Sequence, residues 1–337
     1  MILTLHCLKT TSGHINMKKK INEIGNGVID LQIKALRKLK SAINQSFSDA
    51  VKAIVKCKSK VIVCGVGKSG KIASKISATL SSVGSPSFSI SANDCSHGDL
   101  GRITNQDLLI LISYSGNTNE LKNIIKYAKL NKINLIGIVS NKDSYLYKSA
   151  KIKLFVPEVK ESGLGIVPTS STTAQLCLGD ALAISAMKQK NFDKLDFKKF
   201  HPGGNLGNKL KTANDIMLIK NKIPFVNENE IMRNALKILN LKKLGFLVVI
   251  NNEGLSTGVF TDGDLKRLLQ KKKIINNLKI KRFMTKKPFA VEKNTLAVDI
   301  LNLMNNKKIT NVCIYSKENK KKTIGVIHIH SLINFLK

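Results

Sequence analysis

The chain has 337 residues, of which 56 are Lys or Arg and 22 are Asp or Glu, so its formal net charge is +34. This length is enough for two or three domains with sizeable cores. A strong positive charge is typical of many nucleic-acid-binding proteins. Here only five of the basic residues are Arg, and the lysines are spread along every segment without interleaved aromatic residues. The sequence therefore argues against a nucleic acid as the physiological partner.

The six cysteines form no C-x-x-C pair and have no regular spacing, which favours free thiols over disulfides or a zinc site. No apolar stretch approaches the ~20 residues of a membrane helix, so no membrane partner is predicted. The first residues lack the basic region and long apolar core of a secretory signal. Met17, which three lysines follow, is an alternative start, so residues 1–17 are treated as an extension outside the predicted fold.

The next part of the chain alternates apolar runs with stretches of helical spacing. A long helix is predicted over 30–56 and another over 172–190. The apolar runs between them lie at 61–64, 86–90, 108–112, 133–139 and 152–156. This alternation predicts an α/β domain with a five-stranded parallel sheet flanked by helices, which binds ligands at the carboxyl ends of its strands. The turn HPGGNLG at 201–207 ends this domain, which is predicted to span 18–207.

A glycine-rich loop, GVGKSGKIASK, follows the first apolar run at 65–75. Its glycines permit a tight turn, and Lys68 brings a positive charge. The loop resembles both a dinucleotide fingerprint and a triphosphate-binding loop, but its spacing fits neither pattern. Asp94 lies too far along the chain to hold a ribose in the first pattern.

A second loop, SYSGNT at 113–118, follows the apolar run Leu108 to Ile112. Ser113, Ser115 and Thr118 supply hydroxyl donors, and Gly116 lets the backbone approach a ligand closely. A helix is predicted to begin near Thr118, and its free N–H groups favour an anion such as a phosphate. Taken alone, the same pattern also fits an ordinary capped helix after a strand.

The rest of the chain is a duplicated unit. Met217 and Met284 are 67 residues apart, and so are Gly258 and Gly325, which begin the similar segments GVFTDGDLKRLL and GVIHIHSLINFL. Two equal offsets predict two repeats, over 212–272 and 280–337. Each repeat of ~60 residues buries little surface by itself, so we expect the two to pack together.

With these residues in view, the first domain resembles a sugar-isomerase (SIS) domain and the second an α+β module of two cystathionine-β-synthase (CBS) repeats. The motifs GVGKSG, HGDLG, SYSGNTNE, KESGLGIVPTSSTT, HPGGNLG and GVFTDGDL together resemble the family of D-arabinose 5-phosphate isomerases. The resemblance implies a cytoplasmic homotetramer that interconverts D-ribulose 5-phosphate and D-arabinose 5-phosphate without a cofactor. It implies a role in Kdo biosynthesis, for lipopolysaccharide or for capsule.

The resemblance also assigns roles to individual residues. The four catalytic positions fall on Lys68, Glu120, Glu161 and His201. The SYSGNT loop at 113–118 matches the phosphate loop of SIS domains and is called by that name below. Substrate contacts fall on Ser113, Ser115 and Thr118 of this loop and on three further positions, Gly84, Ser85 and His97. Two departures bear on affinity or sugar preference, because Asn117 replaces a Glu and Ser162-Gly163 replaces a slightly longer Pro-containing stretch.

The chemistry of an aldose–ketose isomerisation calls for the same residue types. A base must move a proton between adjacent carbons through an enediol whose oxygens gain negative charge. We expect Glu161 to carry the carbon proton, Glu120 to handle hydroxyl protons or orient the sugar, and Lys68 to stabilise the enediolate or phosphate. His201 would assist ring opening, although before Pro202 it could instead cap a turn. No metal is required, and zinc at His97 would be adventitious or inhibitory.

In the duplicated half, Thr261 and Asp264 fit the T-x-x-D feature with which CBS repeats bind nucleotides. The matching stretch of the second repeat, His328 to Ser331, lacks the Asp. The pair therefore either binds a nucleotide or nucleotide-sugar effector or has a structural role in shaping the oligomer. An alternative function for the whole chain is a noncatalytic sugar-phosphate or nucleotide sensor, which would need to keep only the phosphate loop.

Overall fold

The computed structural model describes residues 4–201, 203, 207, 210–271, 275 and 277–336, with side chains from residue 20 onward. The chain divides into two compact units, Met1–Asp193 and Lys194–Lys337. The division falls before the predicted domain end at 207. The helix Lys194–Phe200 belongs to the second unit, where Lys198 forms an ion pair with Asp215.

The first unit begins with two helices, α1 (Thr4–Ser41) and α2 (Gln45–Lys56), where the sequence predicted one helix over 30–56. Asn44 lies between them in an extended conformation, and its side chain accepts a hydrogen bond from the Ser46 N–H. An Asn at this position satisfies one of the N–H groups that a helix start leaves unpaired. The predicted helix is therefore interrupted by a cap.

Strands and helices then alternate along the chain as predicted. They are β1 (Val61–Gly65), α3 (Gly67–Ser82), β2 (Ser87–Ser91), α4 (Ala92–Cys95), β3 (Leu108–Ile112), α5 (Leu121–Leu130), β4 (Asn134–Val139), α6 (Tyr145–Ser149), β5 (Ile152–Phe155) and α7 (Ser170–Gln189).

The five strands form one parallel sheet in the order β2-β1-β3-β4-β5, which confirms the predicted fold class. Every residue of β1 and of β3 is buried, as expected for strands whose two faces are both covered. The chain runs from β1 to β2 on one side and then returns to β3 on the other. This topological switch opens a crevice at the carboxyl ends of β1 and β3, the usual place for a ligand in such sheets.

The second unit contains two sheets. One has the order β6 (Phe225–Asn227), β7 (Phe246–Ile250), β8 (Ser256–Thr261), β9 (Thr285–Lys286), and the other has the order β10 (Ala290–Glu292), β11 (Asn311–Ser316), β12 (Asn319–His328). The helices of this unit include Ala213–Ile216, Met232–Lys242, Asp262–Lys271, Ala297–Lys307 and Ile329–Leu336.

The two repeats are interlocked through equivalent residues. A side chain at Gly258 would collide with Met284, and one at Gly325 would collide with Met217, so each repeat's methionine fills the space beside the other repeat's glycine. The hydroxyls of Ser256 and Thr323, which are also 67 residues apart, lie 2.7 Å from each other. The repeated Met and Gly positions found in the sequence are therefore packing contacts between the repeats.

A buried carboxylate fixes the opposite, amino-terminal edge of the first sheet. Asp107 is 1% exposed. One of its oxygens accepts from the Ser59 hydroxyl (2.6 Å) and the Lys60 N–H (3.1 Å). The other accepts from the N–H and hydroxyl of Thr104 (2.7 and 2.8 Å). Burial alone would raise the pKa of Asp107, but these hydrogen bonds outweigh burial and hold the pKa below the ordinary value.

We predict that Asp107→Asn lowers the free energy of unfolding by about 2 to 4 kcal/mol near pH 7, because an amide cannot accept all four bonds. Since the folded-state pKa is depressed, the carboxylate's contribution is complete above the unfolded pKa of about 3.9 and disappears as the pH falls through the folded value. Urea unfolding at pH 7 and pH 3 measures both effects. Asp49→Asn, which alters an exposed carboxylate on α2, is the control. Equal losses for the two variants at pH 7 would contradict the prediction.

Candidate active site

Four of the predicted site residues lie at the carboxyl edge of the first sheet. Lys68 lies in the first turn of α3, which follows β1, and His97 follows α4. Glu120 immediately precedes α5, and Glu161 lies in the segment between β5 and α7. Since parallel strands all end at the same edge, these segments lie along the edge of the sheet that contains the crevice between β1 and β3.

The phosphate loop is held in shape by its own hydroxyl groups. Ser113 is 2% exposed, and its Oγ accepts from the Gly116 N–H (2.9 Å) and lies 2.7 Å from the Thr118 Oγ1. The Ser115 side chain is exposed. Helix α5 begins at Leu121, three residues later than predicted. Ser113 therefore shapes the loop, whereas the exposed Ser115 side chain is free of that task, and its contact with an anion stays a prediction.

Two further contacts join this loop to α6. Gly116 has a φ of +70°, and a Cβ there would overlap the Ser144 side chain, so only glycine fits. Asn117 Oδ1 accepts a hydrogen bond of 2.9 Å from the Tyr145 N–H at the start of α6. Asn117, which stands where the family pattern has Glu, therefore has a structural role, because its side-chain oxygen is hydrogen-bonded to the start of α6.

Lys68 is exposed, and its neighbour Ser69 connects α3 to α7. The Ser69 hydroxyl donates to Gln175 Oε1 at 3.3 Å. Gln175 is fully buried within α7, and its Nε2 has no partner among the described residues. Sequence reasoning missed Gln175, although a polar residue on a buried helix face was a signal. This contact places the first turns of α7 beside the first turn of α3, which carries Lys68 and was predicted from the sequence to be part of a loop.

Glu161 caps the N-terminus of α7. Its Oε2 accepts from the Thr169 N–H (2.8 Å), the Thr169 hydroxyl (3.0 Å) and the Ser170 N–H (2.8 Å). The Ser171 N–H is shared between the two oxygens, at 3.3 Å from Oε1 and 3.4 Å from Oε2, and these two contacts are the weakest of the set. One carboxylate oxygen is thus saturated, while the other retains capacity for a further hydrogen bond or proton.

Two opposing effects set the pKa of Glu161. Burial alone would raise the pKa of this carboxyl, but hydrogen bonds from Ser171, Thr169 and Ser170 outweigh burial and hold the pKa below the ordinary glutamate value. The positive end of the helix dipole acts in the same direction. Glu161 is therefore ionised at neutral pH.

Glu120 and His97 present a different environment. Both side chains are exposed, and neither has a hydrogen-bond or ion-pair partner among the described residues. Glu120 lies two residues after Thr118, the last residue of the loop, and its contact with a substrate stays a prediction.

The predicted turn at Gly84 and Ser85 lies elsewhere in the chain's fold. It precedes β2 and is therefore at the amino edge of the sheet. Ser85 is 1% exposed, and Lys190 Nζ donates to the Gly84 carbonyl (3.0 Å) and the Ser85 Oγ (2.8 Å). Within one chain the structure does not bring this turn to the phosphate loop, so its substrate contact stays a prediction.

His201 belongs to the second unit, and its position relative to Glu161 also stays a prediction. Its ring stacks on Phe197 at a centroid distance of 3.8 Å. Its Nδ1 lies 2.9 Å from the Phe197 carbonyl oxygen, which can only accept, so Nδ1 carries the proton in the neutral ring. Nε2 is then an acceptor suited to taking a proton from a hydroxyl.

The second unit contains its own cleft of about 760 Å³, which both repeats line. Thr261 and Asp264 of the first repeat and His328 and His330 of the second are among its lining residues. Asp264 Oδ2 accepts from the N–H and hydroxyl of Thr261 (2.9 and 2.8 Å), and its Oδ1 accepts from Arg267 (2.6 Å). The side chains of Thr261 and Asp264 therefore also cap the start of the helix Asp262–Lys271, which follows β8.

Comparisons with known proteins agree with this architecture. The SIS domain family matches residues 53–185, and the CBS domain family matches residues 213–271 and 280–337. An Escherichia coli CFT073 protein, c3406, solved in complex with arabinose 5-phosphate, is 33% identical, with a TM-score of 0.53. The match covers 55% of this chain and 98% of that one.

Two curated relatives extend over nearly the whole chain. Arabinose 5-phosphate isomerase KdsD of Yersinia pestis is 41% identical over 313 residues, which cover 92% of this chain and 94% of the relative. The protein of the same name from Escherichia coli K12 is 39% identical over the same shares of the two chains. With an SIS domain followed by two CBS domains along the same length, this chain belongs to the arabinose 5-phosphate isomerase family.

Proposed function

We propose that this protein interconverts D-ribulose 5-phosphate and D-arabinose 5-phosphate through an enediol. The observation that carries the proposal is the ionised Glu161 carboxylate, held at the start of α7 on the same sheet edge as the phosphate loop. The relatives named for this activity support the choice of substrate.

In this mechanism the phosphate binds Ser115, Thr118 and the N–H groups at the start of α5. Glu161 Oε1 removes a proton from carbon 1 of the ketose and returns it to carbon 2, which forms the aldose. Oε2 keeps its hydrogen bonds to Thr169 and Ser170 throughout, so the carboxylate does not rotate away from its position. A hydroxyl proton moves from oxygen 1 to oxygen 2 in the same conversion, and Glu120 carries it.

Lys68 and His201 complete the proposed set. The Lys68 ammonium, in the first turn of α3, stabilises negative charge on the enediolate or the phosphate. When the cyclic aldose opens, His201 Nε2 takes the proton of the anomeric hydroxyl, the bond between carbon 1 and the ring oxygen breaks, and the proton is returned to the released ring oxygen. We further propose a cytoplasmic homotetramer that supplies Kdo synthesis. No described helix has the length and apolar character needed to cross a membrane.

The cleft of the second unit favours the binding of an effector as a separate candidate function. Its cleft combines the Thr261 and Asp264 pair with the cationic side chains of Lys243, Arg267 and Lys308. The carboxylate suits ribose hydroxyls, and the cations suit a phosphate. We propose a nucleotide or nucleotide sugar as the ligand of this cleft. A noncatalytic sensor remains the alternative for the whole chain, but it gives no role to Glu161 and Glu120 together.

We predict that the purified protein converts ribulose 5-phosphate to arabinose 5-phosphate and keeps this activity after treatment with EDTA, because an enediol route needs no Lewis acid. Chromatographic identification of the aldose measures the first expectation. Absence of any aldose would favour the sensor. Activity lost to EDTA and restored only by a divalent ion would contradict the metal-independent route.

We predict that Glu161→Gln lowers kcat by at least about 100-fold, since it removes the carbon base but keeps the side-chain shape. Because the pKa of Glu161 is below the ordinary value of about 4.3, any loss of wild-type activity between pH 7 and pH 5 must be caused by the titration of another group. Steady-state kinetics across this range test both statements. A near-normal kcat in Glu161→Gln with a large loss in Glu120→Gln would reverse the two roles.

For the cleft, we predict saturable binding of AMP in isothermal titration, weakened at least about tenfold by Asp264→Asn, which loses the charge that accepts from ribose hydroxyls. Asp299→Asn is the control, because Asp299 is an exposed first-turn carboxylate of the helix Ala297–Lys307 and does not line the cleft. No heat of binding up to about 1 mM AMP would leave the repeats with a structural role.

A further inference from the structure

The segment that carries Glu161 is attached to the phosphate loop through one side chain. Tyr114 lies between Ser113 and Ser115, and its hydroxyl oxygen accepts a hydrogen bond of 2.9 Å from the Val159 N–H. Val159 precedes the catalytic carboxylate by two residues. The backbone of Tyr114 is itself fixed, because its carbonyl accepts from the Ser140 N–H at 2.9 Å.

The rest of the segment depends on few contacts. Lys38 Nζ donates to the Glu158 carbonyl at 3.1 Å, the Glu161 carboxylate caps α7, and the Ser162 N–H donates to the Thr169 hydroxyl oxygen at 3.1 Å. Beyond these anchors, Gly163 and Gly165 have positive φ with open space around them, and Leu164 is 86% exposed. Orientation of Glu161 therefore depends on the α7 cap, on the Ser162 contact that follows it, and on the anchors at 158 and 159 that precede it.

From this arrangement we infer that Tyr114 is a positioning residue for the isomerisation: it holds the backbone of the Glu161 segment at a fixed distance from the bound phosphate. A Tyr side chain is a rigid spacer with two rotatable torsions, so it transmits the position of the loop directly to Val159. The inference rests on the proposed function for its catalytic consequence, whereas the anchoring itself can be measured without substrate.

The central test is Tyr114→Phe, which removes the accepting oxygen and keeps the ring. We expect kcat to fall about three- to tenfold, the effect of one lost hydrogen bond, while KM changes less than about twofold because the hydroxyl does not contact the substrate. In a Glu161→Gln background the same substitution should cause no further loss of kcat, because its effect passes through that carboxylate.

Tyr127→Phe is the matched control. The Tyr127 hydroxyl also makes one bond to the main chain, donating to the Ile103 carbonyl at 3.2 Å, but Ile103 leads into the amino end of β3. We expect its kcat to equal that of the wild type. Unchanged kcat in Tyr114→Phe, an effect confined to KM, or an equal loss in the Glu161→Gln background would each overturn the inference.

Amide hydrogen exchange of the ligand-free protein separates this inference from the proposed function. Tyr114→Phe should accelerate exchange in the peptide that contains Val159, and Tyr127→Phe should not. Unaltered exchange there would overturn the anchoring even if the enzyme is an isomerase. Accelerated exchange in a protein without isomerase activity would support the anchor and reject the proposed function.

Discussion

The site depends on one constraint, the parallel arrangement of the five strands in the first unit. Parallel strands are joined by crossover connections, usually helices. Every strand therefore ends at the same edge of the sheet and is followed there by the start of a helix. Lys68, the phosphate loop and Glu161 are far apart in sequence, yet each follows a strand. The reversal of strand order between β1 and β3 leaves a crevice where helix starts point N–H groups at an anion.

The start of α7 is used differently from that of α5. At α5 the positive helix end faces solvent and suits a substrate phosphate. At α7 it is occupied by the Glu161 carboxylate, which accepts from Thr169, Ser170 and Ser171. These bonds keep the carboxylate ionised and fix its direction, at the cost of lowering its basicity. A base of low pKa is effective only if the developing enediolate is stabilised nearby, and this is the role that we propose for Lys68.

Much of this arrangement followed from local sequence. The alternation of apolar runs and helical stretches predicted the five-stranded parallel sheet, and the equal offsets predicted two repeats. Because Asn44 was not identified as a cap, one helix was predicted where two occur. The roles of Tyr114 and Gln175 were missed, since each depends on a partner that is distant in sequence, Val159 and Ser69 respectively. Such pairs arise only when the sheet brings its loops together.

In the proposed reaction Glu161 moves the carbon proton. The most direct measurement is NMR of the sugar phosphates formed in D₂O by the wild type, Glu161→Gln and Glu120→Gln. A carboxylate that lifts and returns a carbon proton can exchange it with solvent, so the wild type should place deuterium at carbon 2 of the aldose. We predict that this incorporation slows at least about 100-fold in Glu161→Gln and less in Glu120→Gln. Incorporation at the wild-type rate in Glu161→Gln would contradict this prediction.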